Sequence, residues 1–183
     1  MKHAYPQHLA SFVSEHWDAI ISDPIADELP PLPILESIIS TCYQASLLRE
    51  EQKQVSFRVI VCSPDDLPAA GGPPSGLHRL VFSEPRPFTA HELRRLSTAA
   101  TFERSLIGIS LNARGIIIWG IVHSGPRWLQ SLHGGRGAAP ALPPVPILSV
   151  TGPGQVEFFQ GSTTVGQLSE GQVFGPSMNV FQA

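Results

Sequence analysis

The chain is poor in charge. Only 15% of its 183 residues are charged, and Lys2 and Lys53 are the only lysines among twelve Lys and Arg residues. With a formal net charge of −3, there is no general electrostatic case for nucleic acid or an anionic membrane as partner. Cysteine is scarce as well. Cys42 and Cys62 fall in a predicted helix and a predicted strand. Two distant cysteines cannot make a zinc site alone, so they read as small buried thiols, with a disulfide or redox pair as the alternative. No apolar run approaches the roughly 20 residues that span a bilayer. The opening MKHAYPQHLASF lacks the basic-then-apolar pattern of a signal peptide. The chain therefore reads as cytoplasmic. The seven histidines are scattered, and no HxxxH pair with a nearby carboxylate, Gly-Lys-Ser/Thr phosphate loop or GxSxG elbow occurs. No metal, cofactor or catalytic set is assigned.

What the chain has in quantity is apolar residues, at 42%, interrupted by 18 prolines and 16 glycines. Such a length can bury a substantial core without metal or disulfide staples. The strongest stretch is Ser105–Ser124, SLIGISLNARGIIIWGIVHS. Two β-branched apolar runs, Leu106–Leu111 and Ile116–Val122, flank a polar break at Asn112–Gly115. Both are too short for buried helices, and Asn and Gly suit the positive φ of a tight turn, so a central β-hairpin is predicted. The second run has no polar side, which predicts cover on both faces.

Upstream, Leu9, Phe12, Val13, Trp17, Ile20 and Ile21 recur at helical spacing over Pro6–Ser22, and Asp23-Pro24 stops the helix. A second helix is predicted over Ile34–Arg49, with Pro33 in its first turn and a stripe of Leu35, Ile38, Ile39 and Cys42 extended by Leu47 and Leu48. Val55–Cys62 alternates as a strand, and His78–Ser83 is a shorter one beyond a Pro/Gly loop at 63–76. Thr89-Ala-His-Glu92 matches a capping box, with Leu93, Leu96 and Ala100 facing the core of the helix it opens. A second long loop spans 125–144, with one helical turn at Trp128–Leu132. Ile147–Val150, Val156–Gln160 and Thr163–Leu168 then read as a small C-terminal β-meander.

The chemistry-bearing candidates lie on loops and strand ends. Arg127, His133, Gly134, Gly135 and Arg136 combine forked guanidinium groups with glycine-flanked amides, which suits a phosphate or carboxylate, although a solvated loop has the same composition. His123 closes the central strand beside that loop and can serve as a ligand contact, a general base or a hydrogen-bonded structural residue. Strict alternation puts Trp119 on the same face as His123, more naturally as core than as a stacking platform. Glu50 and Glu51 sit at a helix-to-strand junction, where one turned inward would pair with Arg58 or hold a ligand amine; a solvated turn is the alternative reading. Thr151-Gly-Pro-Gly154 precedes a strand, so no helix dipole favours phosphate there and a structural turn is expected.

Four segments together resemble the DACNV-type probable sensor domain, a bacterial family fused to the N-terminal side of DisA-type diadenylate cyclase domains. They are CYQASLLREEQKQVSFRVIV, FSEPRPFTAHELRRLSTAATF, ISLNARGIIIWGIVHSG and LSVTGPGQVEFFQGSTTVGQL, spread over most of residues 5–173. The resemblance implies a non-catalytic ligand-responsive module that regulates cyclic di-AMP synthesis by a cyclase domain in cis or trans. The Asp-Gly-Ala and Arg-His-Arg motifs of the cyclases themselves are not found here; the comparable stretch reads Ser105-Leu-Ile-Gly108.

The resulting expectation is one sensor-type domain over 1–183 with an α/β (α+β) fold. It comprises a helical part at 5–49, a core at 54–123 and a C-terminal β-meander at 146–173. Residues 174–183 read as the start of a linker, in a truncated N-terminal region or a stand-alone copy. The sheet is expected to be mixed, with a central hairpin and helices packed on its faces. The ligand, an unknown small molecule, is placed at Arg127, Arg136 and His123, with Glu50 and Glu51 secondary. A homodimer that brings two cyclase domains together is the competing reading, and a divergent nucleotide-acting enzyme is the third.

Overall fold

Alternating and doubly apolar segments must pair before they can be buried, and the computed structural model shows how they do. It describes residues 5–20, 29–48, 55–66, 78–99, 105–113, 115–123, 145–160 and 163–176. Among these, the elements run α1 (Pro6–Ile20), α2 (Leu32–Leu47), β1 (Phe57–Val61), β2 (His78–Pro87), α3 (Ala90–Ala99), β3 (Ser105–Asn112), β4 (Gly115–His123), β5 (Pro146–Gly152), β6 (Gln155–Gln160), β7 (Thr163–Ser169) and β8 (Gln172–Phe174). The eight strands form one open mixed sheet in the order β2-β4-β3-β1-β5-β6-β7-β8. Only β1 and β3 pair in parallel, since β2 and α3 intervene between them and return the chain in the same direction.

The expected hairpin is β3–β4, paired from Asn112↔Gly115 at its tip to Ser105↔His123 at its base, with one slip between Gly108 and Ile109. It lies inside the sheet, flanked by β2 and β1. Ile118 through Val122 are buried without a break, as a run with no polar side requires. All three described helices contribute to one core. Leu9 and Val13 of α1, Leu35, Ile38 and Ile39 of α2, and Leu93 and Leu96 of α3 cluster with Phe57, Val59, Ile107, Ile109, Leu148, Val156 and Phe158. Ile60, Leu106, Trp119, Val122, Val145 and Ile147 form a separate cluster on the sheet's other face.

Several local expectations need correction. Leu47 does not extend the α2 stripe; it is half exposed at the helix end, where the chain leaves helical geometry at Leu48. The meander has a fourth strand, β8. It pairs with β7 across Glu170 and Gly171, both at positive φ (50° and 72°), as the turns that match strand twist require. β2 is longer than expected, but its register with β4 jumps between Val81 and Arg86, so Phe82–Pro85 form a bulge on the strand that is outermost among those described. Neither cysteine is in a disulfide; Cys42 is buried and Cys62 half-buried. Ile21, Ala100 and the turn at Trp128–Leu132 lie outside the described residues.

Candidate functional site

The end of the sheet where β3 begins and β4 finishes gathers polar groups that sequence distance conceals. Ser105 opposes His123 on the hairpin, and His78 of β2 opposes His123 from the other side. The three residues thus form one row across three strands. Ser105 is buried, His123 is exposed, and Ser105 Oγ lies 2.9 Å from His123 Nδ1. A hydroxyl can donate or accept, so this bond fixes the imidazole's orientation and leaves Nε2 on the outer side of the ring. His123 is thus a hydrogen-bonded residue that stays accessible to solvent. Arg127 and Arg136, expected beside it, lie outside the described residues, as do His133, Glu50 and Glu51.

Trp119 does not share a face with His123. The β3–β4 register slips between Gly108 and Ile109, which inserts Trp119 as an extra residue and reverses the alternation beyond it. Ile118 and Ile121 therefore both join the helix-side core, while Trp119 and Val122 face the other way. The indole lies across Gly108, where a Cβ would collide with the ring, and its Nε1 donates to the Cys62 carbonyl at 2.8 Å. Trp119 is core, as the apolar run suggested.

Arg58 is the buried charge that the strand pattern could have revealed, an arginine inside the apolar run Val55–Cys62. It faces Ser149 across β1–β5, and Ser149 faces Glu157 across β5–β6. Burial pushes the guanidinium pKa down, and the Glu157 carboxylate pulls it back up. Glu157 thus acts on Arg58 electrostatically from the other side of a small serine.

Two other candidates resolve into structure. Gly154 of the Thr151–Gly154 turn has φ +70°, and its amide donates to Ser46 Oγ at 2.9 Å. That N–H is committed to α2 and cannot cradle a phosphate. At α3, the Glu92 amide donates to Thr89 Oγ1 at 3.2 Å, while the Glu92 carboxylate receives Arg86 at 2.8 Å and Arg95 at 2.6 Å and 2.9 Å. No group of three or more potential metal ligands occurs among the described residues, and no described helix is long and apolar enough to cross a membrane.

Residues 25–123 match the family described as "Probable sensor domain DACNV". No curated protein and no solved structure matches the chain. The matched span begins ahead of α2, takes in β1, β2, α3 and the whole β3–β4 hairpin, and ends on His123. Covering more than half of the sequence, it shows that the chain belongs to the DACNV family of probable sensor domains.

Proposed function

We propose that this chain is a non-catalytic ligand-sensing domain that controls cyclic di-AMP synthesis by a diadenylate cyclase, linked in cis or met in trans. Membership of the sensor family carries the reading. The site in this proposal is the sheet end at His123, with Arg127 and Arg136 of the following segment as the anion-binding groups. Glu50 and Glu51 are secondary contacts. The eight-stranded sheet supports it, because His123 at a strand end is paired on both sides, with β2 and with β3.

A thermal-shift screen against nucleotides, cyclic dinucleotides and common metabolites tests the first half. A true ligand raises Tm with concentration by mass action. The variant Arg127→Ala plus Arg136→Ala then abolishes that rise; an unchanged response removes this site. The second half is read as cyclic di-AMP output from a purified diadenylate cyclase with and without the domain and its hit. Output indifferent to both sinks the regulatory reading.

A homodimerisation module is the second reading, favoured by one observation. Leu80 and Val81 are 55% and 53% exposed, an apolar pair on β2, which has a strand neighbour on one side only among the described residues. Sedimentation at micromolar concentration separates the readings, because a clean monomer counts against dimerisation.

A further inference from the structure

We propose that Arg86 and Arg95 form a binding site for a carboxylate group, with Glu92 as the residue that positions both. Arg86 Nη1 and Arg95 Nη2 bond the same Glu92 Oε1, at 2.8 Å and 2.6 Å, and Arg95 Nε bonds Oε2 at 2.9 Å. One carboxylate therefore holds two guanidinium groups side by side. Two positive charges meet one negative charge, which leaves the cluster net positive in a chain whose formal net charge is −3. One further carboxylate, from a free ligand or an acidic side chain of a partner protein, balances it. Glu92 is the inner member, its side chain 16% exposed, while those of Arg86 and Arg95 are 37% and 58% exposed. A guanidinium has more N–H donors than Glu92 takes from either arginine, and the remainder suit a planar carboxylate approaching from solvent.

The fixed presentation of Arg86 is the second observation. It sits between Pro85 and Pro87, whose rings restrict φ and keep the residue ahead of each out of the helical region. The β2 bulge ends on it, pairing resumes at Arg86↔Ile118, and its guanidinium lies 4.5 Å over the Phe82 ring. Arg95 follows Glu92 by three residues on α3, so the two side chains share a helix face. Mobile arginines would have to be ordered by the ligand; these are ordered by Glu92, Phe82 and the flanking prolines beforehand. Arg86 lies nearer the hairpin tip than its base, away from His123. The inference goes beyond the sensor reading and does not depend on it.

Succinate titrated into the full chain and followed by amide NMR shifts, against sodium chloride at matched ionic strength, is the test. The expected result is a saturable response at Arg86, Glu92 and Arg95. Arg86→Gln and Arg95→Gln each weaken succinate about tenfold, the size of one lost charge-assisted hydrogen bond. Arg86→Lys, which keeps the charge and loses the fork, weakens it as well. Arg79→Gln leaves it unchanged, because that guanidinium is on the same strand but donates to the Pro64 carbonyl. Equal losses in the Arg79 and Arg86 variants would mean a general charge effect and overturn the site, as would a response linear in succinate. A capped peptide with a single glutamate between valines separates the sources. Tighter binding than succinate assigns an acidic segment of a partner protein, weaker binding assigns a free carboxylate ligand, and no binding by either probe overturns the site. Should Arg86→Gln fail to fold, the exposed Arg95→Gln variant and the shift map of the unaltered chain still decide. The Arg127→Ala plus Arg136→Ala variant should take succinate here as the parent does. Loss of the response in that variant would assign the anion to the sheet end at His123 and overturn this inference alone.

Discussion

A single missing Cβ sets the packing of the second face. Trp119 lies across Gly108, and any side chain there would enter the indole. Gly108→Ala should therefore cost about 1–3 kcal/mol as an overpacking change, read as a lower urea midpoint with unchanged m-value. A stability within experimental error of the parent would mean the ring moves aside freely. Cys42 gives a residue-scale pH dependence. Burial raises its thiol pKa above the ordinary value. A raised folded pKa means the unfolded chain releases its proton first. The contribution is complete below the unfolded pKa of roughly 8.5 and is lost as pH rises above it, by up to about 1.4 kcal/mol per unit. Denaturant midpoints at pH 8 and pH 9.5 should fall more steeply for the parent than for Cys42→Ala. Parallel slopes would contradict this.

At the scale of elements, the legible features were those encoded within a few residues. The β3–β4 hairpin, the α1 and α2 stripes and the Thr89 cap all follow from local spacing. The features that escaped depend on a partner strand. The slip at Trp119 changes which side chains share a face, yet GIIIWGIVH reads the same with or without it. β8 is only three residues long and follows Glu170-Gly171, a weaker turn signal than Asn-Gly. Glu92 was legible as half of a capping box, but the β2 bulge brings Arg86 to its carboxylate, 4.5 Å over the Phe82 ring. Thr89→Ala should consequently cost about 1 kcal/mol through the lost cap. The Arg86–Glu92 pair, part-exposed, should show a coupling of at most about 1 kcal/mol in a double-mutant cycle, falling with added salt. A coupling larger than the cap effect would reverse that ranking.

At the scale of the whole molecule, the sheet assembles rows that no segment contains. His78, His123 and Ser105 form one; Arg58, Ser149 and Glu157 form another, on the opposite face. The sequence offered Glu50 or Glu51, if turned inward, as one partner for Arg58, beside the reading of both as a solvated turn; both lie outside the described residues. The antiparallel β1–β5–β6 order brings Glu157, which follows it by almost a hundred residues, into electrostatic reach. A buried guanidinium with a carboxylate across a small serine behaves as a unit. Removing the carboxylate alone leaves a buried cation with less compensation, whereas removing both leaves neither charge to solvate. Glu157→Gln should then lower stability by about 1–3 kcal/mol. Adding Arg58→Met should recover most of that loss, because methionine fills the arginine stem's volume without its charge. Losses that simply add in the double variant would show that the two charges act independently. Arg58 would then be held by other groups on that face.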